Sequence, residues 1–387
     1  MGFFLGDIGG SKTRLIFLDS EKDLKKQNLK IFKTPQKYKE FLELLRNEYV
    51  VRINRNHNKL IQTDKNTNNN RDSIQKNKVR INLRESSQWF AAKKTRKTVF
   101  GFAGMLDEKR EKLIYAPNLK DFENKNLKRD LEKILETEVI LENDATLAGL
   151  GEGKYGVGKN FDVFGYITLS TGVGGAKIVK TRTNTNYSEL MRIDTTTRTD
   201  TNNDNNHEPI RTNNSLYEFA PNDNVRNSSR ESSQWFAVDI NKFGFEPGHS
   251  FLLLTQTAAD LTQTLFNNVR GSSRIVRGSW RKNLFEIEEL LGGENIEKTF
   301  GKKPEEIKDK KFWNFYHQIL SIFLINVSIF WSVDKIILGG GITKSLDFKK
   351  LNSLVNKLHP LPIKIQIIKS KLGEMSVLYG GLVRSGI

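Results

Sequence analysis

The chain has 387 residues, which is enough for two domains and too many for one small core. It contains no cysteine, which excludes disulfides, thiolate metal sites and cysteine nucleophiles and fits a reducing cytoplasm. The formal net charge of +17 comes almost entirely from residues 51–97 and 267–282, so the basicity belongs to those segments and not to the fold.

The longest apolar stretch, residues 319–333, is interrupted by Ser and Asn. It is also shorter than the roughly 20 residues that a helix needs to span a bilayer. No apolar leader precedes the first strand, because Gly6-Asp7 interrupts the first apolar run. These features predict a soluble, cytoplasmic protein that has no membrane partner.

The first half of the chain alternates between short strands and helices. Apolar runs at residues 3–5 and 15–18 flank an acid and a Gly pair, which predicts a β-hairpin whose turn carries the chemistry. A third strand is predicted at 27–33, and Pro35 opens a helix over 36–49. After a low-complexity stretch, the pattern predicts strands at 98–104, 112–116 and 139–141 and helices at 126–136 and 145–151.

The second half continues this alternation. Two strands are predicted at 163–169 and 175–179, joined by a Gly-rich turn. The later elements are predicted helices at 285–291, 294–300, 312–331, 348–358 and 375–384, a short helical segment at 304–307, and strands at 335–338 and 363–368.

Three low-complexity stretches, residues 51–97, 181–237 and about 267–282, share a repeated sequence. Residues 77–92 match 223–238, and a degraded third copy begins at Asn267. We interpret them as one element inserted three times into surface loops, where added length costs little closure entropy. The alternative is a basic, Trp-bearing arm for nucleic acid. Because the middle stretch has six basic against eight acidic residues, nucleic acid is not an expected partner.

Four Gly-rich or acidic turns each follow a short apolar strand, at Asp7–Thr13, Asn143–Asp144, Thr171–Gly175 and Gly339–Gly341. Glycines at a turn allow backbone N–H groups to approach a phosphate, and Asp7 could contact a magnesium ion. Taken alone, the first turn could be an ordinary hairpin and Asn143–Asp144 a helix N-cap. Four such turns in succession indicate a nucleotide held between two lobes.

These motifs resemble those of the ROK family of sugar kinases, within the actin/Hsp70/hexokinase superfamily. The resemblance covers nearly all of the chain outside the three inserts. It implies an α/β, two-lobed actin-like ATPase (ribonuclease H-like) fold with low-complexity inserted loops. It also implies an N-terminal lobe of residues 1–142 joined by the C-terminal helix 375–387, and a C-terminal lobe of residues 143–374. The motifs that carry the resemblance are Asp7–Thr13, Glu142–Ala145, Leu169–Gly175, Glu246–His249 and Ile337–Gly341.

The resemblance implies ATP and Mg²⁺ as cofactors, with Asp7 as an indirect magnesium contact and Asp144 as the general base. The implied sugar contacts are Gly104, Asn143, Asp144, Glu246, His249 and Glu288, where a shift of one residue would substitute Glu289 for Glu288. The implied nucleotide contacts are Asp7, Gly9, Gly10, Lys12, Thr13, Thr171, Gly172, Gly174, Gly175, Gly339, Gly340 and Gly341.

The implied activity is ATP-dependent phosphorylation of a hexose 6-hydroxyl, glucose to glucose 6-phosphate, by a cytoplasmic homodimer. Most relatives carry a zinc site built from three Cys and the His of the Glu-x-Gly-His motif, so no zinc is expected in this Cys-free chain. The alternative is a sugar-binding regulator that has lost catalysis and contacts nucleic acid through the basic inserts. ROK repressors have a helix-turn-helix domain ahead of the first phosphate turn, and the position of Asp7 favours the enzyme.

Overall fold

The computed structural model describes residues 2–24, 28–50, 96–182, 233–238, 251–253 and 284–386. The chain divides into two compact units, Met1–Glu142 and Asn143–Ile387. Each unit contains one five-stranded sheet.

In the described residues of the first unit, the structure shows one large sheet, a small hairpin and two α-helices. The sheet strands are β1 (Gly2–Ile8), β2 (Lys12–Leu18), β3 (Lys30–Lys33), β4 (Arg96–Phe102) and β7 (Val139–Asn143). The remaining elements are the hairpin strands β5 (Met105–Leu106) and β6 (Leu113–Tyr115) and the helices α1 (residues 38–50) and α2 (Leu127–Leu135). The strand order in the sheet is β3-β2-β1-β4-β7, with β1 antiparallel to β2 and parallel to β4.

The core of the first unit follows from the spacing of its apolar residues. Helix α1 buries Tyr38, Phe41, Leu45 and Tyr49, which recur at helical spacing on one face. Each such large side chain contributes about 1.5–3 kcal/mol when it is fully buried. The Asp121 carboxylate accepts a hydrogen bond from the Tyr38 N–H (2.8 Å), so the first turn of α1 is capped by a side chain from a short 3₁₀ helix, Lys120–Phe122, elsewhere in the unit.

The second unit has the strand order β10-β9-β8-β13-β14. Its strands are β8 (Val163–Leu169), β9 (Val173–Arg182), β10 (Ser233–Val238), β13 (Lys335–Gly339) and β14 (Gln366–Lys369), and a separate pair is formed by β11 (Phe251–Leu253) and β12 (Leu284–Glu286). Its helices are α3 (Asp144–Tyr155), α4 (Ile287–Leu291), α5 (Gly293–Phe300), α6 (Lys310–Trp331), α7 (Phe348–Leu358) and α8 (Ser376–Arg384).

Two helix contacts organise the second unit. Helix α6 buries a broad apolar face in the core of the unit, which includes Phe323 and Trp331. Helices α3 and α8 approach closely because both carry glycines, and a Cβ at Gly151 would lie 2.9 Å from the Gly380 nitrogen. Within the described ranges, no helix combines the length and the apolar character needed to cross a membrane.

Most predicted elements occur at their predicted positions, and three differences have physical causes. Strand β4 begins at Arg96, inside the predicted insert 51–97, because its backbone pairs with β1. Strand β10 lies inside the predicted insert 181–237 and pairs with β9 at the edge of the sheet. Residues 284–286, which overlap the predicted helix 285–291, form β12 because they pair with β11.

The lobe boundaries inferred from the sequence stay a prediction. In the structure, helix α8 packs against α3 within the second unit.

Candidate active site

The first turn, residues 9–11, connects β1 to β2. Its three carbonyl groups accept hydrogen bonds from the segment that follows β3: the Thr34 hydroxyl donates to Gly9 (2.7 Å), the Gln36 amide to Gly10 (2.9 Å), and the Thr34 N–H to Ser11 (3.1 Å). Within the described part of the chain, the N–H groups of Gly10 and Ser11 have no hydrogen-bond partner. Two consecutive unpaired N–H groups on a turn form the kind of concave donor set that binds an anion.

Several side chains surround the first turn. A Cβ at Gly10 would collide with the Asn118 side chain, so only glycine fits against that residue. Lys12 is exposed, whereas Thr13 is fully buried and its hydroxyl lies 3.0 Å from that of Thr34. Asn118 was not among the residues selected from the sequence. The Pro117-Asn118 pair after β6 was its only signal.

Asp7, the implied magnesium contact, is buried at the end of β1. Its carboxylate forms an ion pair with Arg14 (2.7 Å between Oδ2 and Nη1) on the antiparallel partner strand. Mg²⁺ uses one or two carboxylates and keeps several waters, so one acid that is already neutralised by Arg14 fits a water-mediated contact. Among the residues that the structure describes, no group of three or more His, Asp or Glu side chains could form a metal site.

The second turn, residues 170–172, connects β8 to β9. The N–H groups of Gly293 and Glu294, at the start of α5, donate to the carbonyls of Ser170 (2.8 Å) and Thr171 (3.0 Å). The N–H groups of Thr171 and Gly172 have no hydrogen-bond partner among the described residues. This turn therefore presents the same kind of donor pair as the first turn. Two further glycines predicted to bind the nucleotide, Gly174 and Gly175, follow at the start of β9, where they pair with Thr168 and Ile167.

The Glu288 side chain contacts the second turn. A Cβ at Gly172 would collide with its carboxylate, and a Cβ at Gly292 would lie 3.2 Å from its Cγ. Glu288 is half-buried in the first turn of α4. Burial raises the pKa of the adjacent Glu289 carboxyl above its usual value. The structure thus brings the implied sugar contact Glu288 together with the implied phosphate contacts of this turn.

The glycine run Gly339–Gly341 lies beside the second turn. Strands β8 and β13 are parallel neighbours, so the segments that follow them lie at the same edge of the sheet. Gly340 has φ = +88°, and a Cβ there would collide with the Leu169 backbone. A Cβ at the exposed Gly341 would have no heavy atom within 4 Å. Gly340 thus fits tightly against β8, and Gly341 leaves space on the open side.

The sequence left open whether Asn143–Asp144 caps a helix or provides a base, and the structure shows that the cap is Asn143. Asn143 is the N-cap of α3, and its Oδ1 accepts from the Thr146 N–H (3.0 Å). Asp144 begins the helix, and its Oδ1 accepts from the Ala145 N–H (2.8 Å). Both residues are half-buried. Capping through Asn143 means that Asp144 is not required as the acceptor for Thr146.

The other three implied sugar contacts are Gly104, Glu246 and His249. Gly104, which follows β4, has φ = +131°, and a Cβ there would lie 2.7 Å from the Tyr115 carbonyl oxygen, so the chain requires glycine at this position. Glu246 and His249 lie outside the described residues. The roles assigned to all these residues stay predictions, as does the expected absence of zinc.

Part of this chain is similar in sequence to known proteins. Residues 71–185 match the ROK family. This confirms the resemblance to the ROK family. A glucokinase from Streptomyces coelicolor is 39% identical over 79 residues, which are 20% of this chain and 25% of that relative. The xylose repressor of Bacillus subtilis is 32% identical over 76 residues, which are 20% of this chain and 19% of the repressor. The match thus spans a quarter or less of the length of these two relatives.

The crystal structure of a ROK family glucokinase from Streptomyces griseus, in complex with glucose and AMPPNP, is similar to this structure over the full length of both chains. The TM-score is 0.55 and the sequence identity is 16%, a level at which the similarity concerns the fold alone. The predicted α/β, two-lobed actin-like ATPase fold is confirmed.

Proposed function

We propose that this chain is an ATP-dependent hexose kinase that phosphorylates the 6-hydroxyl of glucose. The observation that carries the proposal is the contact between Glu288 and Gly172. Phosphoryl transfer requires that the group binding the sugar and the group binding the phosphate lie next to each other. The glucokinase from Streptomyces coelicolor, to which part of the chain is similar, supports glucose as the substrate.

The second turn would bind the phosphates of ATP. The N–H groups of Thr171 and Gly172 would donate to phosphate oxygens, and the open side of Gly341 would accommodate the adenosine. Phosphoryl transfer depends on positioning and on neutralising charge, and backbone N–H groups provide both without any side-chain rearrangement.

Asp144 would be the general base. It would take the proton of the 6-hydroxyl as that oxygen attacks the γ-phosphorus in line, and the bond from phosphorus to the ADP oxygen would break. Asn143 would contact a sugar hydroxyl through its amide nitrogen, because its amide oxygen caps α3. Magnesium, when bound, would neutralise phosphate charge, with Asp7 as a water-mediated contact.

The decisive experiment measures ADP release with ATP and a panel of sugars: glucose, fructose, mannose, N-acetylglucosamine and N-acetylmannosamine. We expect glucose to stimulate turnover the most. Asp144→Asn removes the base but keeps the size of the side chain, so kcat should fall by about 10²–10⁴-fold. The KM for glucose should change much less, because the amide can still hydrogen bond to the sugar.

Thermal unfolding of the Asp144→Asn protein provides the control for folding. If no sugar stimulates ADP release by the wild-type protein, the proposed activity is wrong. If Asp144→Asn retains the full rate, the activity stands and the role of Asp144 does not.

A second candidate is a sugar-binding regulator that has lost catalysis. It is favoured by the match to the xylose repressor and by residues 51–97, which contain 13 Lys and Arg against three Asp and Glu. A regulator of this kind should bind DNA or RNA with strong salt dependence. Deletion of residues 52–95, which spares β4, should abolish that binding. Sugar-dependent ADP release by the intact chain would argue against this candidate.

A further inference from the structure

Among the described residues, the hydrogen bonds between Thr34–Gln36 and the first turn all end on carbonyl groups of the turn. The donors are the Thr34 hydroxyl, the Thr34 N–H and the Gln36 amide, and their acceptors are the carbonyls of Gly9, Ser11 and Gly10. No other backbone carbonyls lie in this turn, so every one of them is oriented toward the same segment.

Because of peptide geometry, the direction of each carbonyl group also determines the direction of the N–H group of the next residue. The carbonyl of one residue and the N–H of the next belong to one planar trans peptide, and they point in opposite directions. Binding the Gly9 carbonyl therefore directs the Gly10 N–H away from Thr34, and binding the Gly10 carbonyl directs the Ser11 N–H away from Gln36. These are the two N–H groups that have no partner within the described ranges.

Thr34 makes the stronger of the two side-chain contacts because it is buried. Only 1% of its surface is exposed, whereas Gln36 is exposed to solvent. The single hydroxyl proton of Thr34 is donated to Gly9, so the Thr13 hydroxyl, 3.0 Å away, must donate to Thr34. Pro35 restricts the backbone between the two donors, since its own φ is fixed and the residue before it is extended.

We infer that Thr34, supported by Gln36, is a positioning residue that aims the Gly10 and Ser11 N–H groups at the phosphates of the nucleotide. Thr34 is not a ligand, because its hydroxyl is bonded inside the protein on the opposite side of the turn from these donors. The inference rests on the proposed function, and it assigns a role to two residues that lie outside the recognised motifs.

The test is direct binding of AMPPNP by titration calorimetry, which requires no turnover. Thr34→Val keeps the shape of the side chain and leaves the Gly9 carbonyl without its donor, so affinity should fall about 10-fold. Gln36→Leu removes a solvent-exposed bond and should weaken binding about threefold. Thr34→Ser restores the hydroxyl and should bind within about twofold of the wild-type protein.

Thr98→Val is the matched control. Thr98 is a fully buried threonine of the same sheet, and its hydroxyl has no hydrogen-bond partner in the described structure. Its replacement should leave AMPPNP affinity unchanged. In steady-state assays, Thr34→Val should raise the KM for ATP and leave the KM for glucose unchanged, a separation that a general loss of stability would not produce.

The possible failures are distinguishable. Equal AMPPNP affinity in wild-type protein, Thr34→Val and Thr98→Val would overturn this inference alone. If Thr34→Val does not fold, unchanged binding by the exposed variant Gln36→Leu would overturn it. A wild-type protein that binds no AMPPNP would overturn the proposed function together with this inference.

Discussion

The two glycine-rich turns present the same pair of donors but are supported in different ways. The carbonyls of the first turn, residues 9–11, are bound mainly by the side chains of Thr34 and Gln36. The carbonyls of Ser170 and Thr171 in the second turn, residues 170–172, are bound by the backbone N–H groups of Gly293 and Glu294 at the start of α5, and the Gly172 carbonyl accepts from the Ser170 N–H.

This difference determines how each turn can be perturbed. A single substitution removes a side-chain donor, whereas every residue except proline retains a backbone N–H. The first turn should therefore be sensitive to polar substitutions in a neighbouring segment, and the second only to changes in packing. A Cβ at Gly172 would collide with the Glu288 carboxylate, so Gly172 is a place where packing on the second turn can be tested.

Among substitutions at the two turns, the largest expected effect comes from Gly172→Ala. The added methyl group collides with the Glu288 carboxylate, so either the turn or the acid must move. Misplacement of about 1 Å at a reacting site can cost about 100-fold in rate, and we expect a decrease of that size in kcat/KM for glucose. The coupled ADP-release assay measures it.

The double variant Gly172→Ala/Glu288→Ala tests whether the collision is the cause. If the collision displaces the turn, Gly172→Ala should also bind AMPPNP more weakly than the wild-type protein. Removing the carboxylate should return AMPPNP affinity toward that of the wild-type protein, while glucose-dependent turnover stays low because the implied sugar contact is gone. A double variant that binds AMPPNP as weakly as Gly172→Ala would contradict this account.

A smaller effect is expected from Glu288→Gln. A hydrogen bond to a charged group contributes about 1.5–3 kcal/mol, so the KM for glucose should rise at least about 10-fold. AMPPNP affinity should not fall, because the substitution removes a negative charge beside the second turn, the proposed binding site of the phosphates. Steady-state kinetics and calorimetry measure the two quantities separately.

Glu289→Gln is the matched control for the position of the sugar contact. If this variant raises the KM for glucose and Glu288→Gln does not, then the alignment with the family is shifted by one residue.

The smallest expected effect is a pH dependence of stability that should differ between the two units. Burial lowers the pKa of His317 below its usual value, and the first unit has no histidine among its described residues. His317 Nδ1 lies 2.5 Å from the Trp313 carbonyl oxygen, its Nε2 accepts from the Asp347 N–H (3.0 Å), and Lys350 adds nearby positive charge. The native state therefore favours the neutral ring.

As pH falls below about 6.5, the unfolded state binds the proton first, so the free energy of unfolding decreases until pH reaches the lower native pKa. We expect the free energy of unfolding to decrease as the pH is lowered from 7 toward 5. Amide hydrogen exchange should become faster at low pH in α6 and α7 and should not change in β1 and β2. His317→Gln, whose amide can donate to Trp313 and accept from Asp347, should remove this pH dependence. Equal pH dependence in His317→Gln would contradict the assignment.

Local patterns predicted the regular elements well. Helix α7 occurs at its predicted residues, 348–358, because its apolar positions recur at helical spacing. The end of β7 was harder to predict, because Asn143 and Asp144 are both good capping residues. Strands β10 and β12 were missed because strand pairing depends on distant partners, β9 and β11, that local sequence does not identify.

The sequence by itself determined where the two glycine-rich turns lie, since a Gly pair after an apolar strand is a local signal. It also indicated the acids and amides that accompany them. Only the tertiary structure decided which carbonyls are bound and therefore which N–H groups are presented. Thr34 lies 25 residues from Gly9, and nothing in the local sequence of either residue specifies their hydrogen bond. The same holds for the contact of Glu288 with Gly172, because that contact depends on how two segments far apart in the sequence pack together.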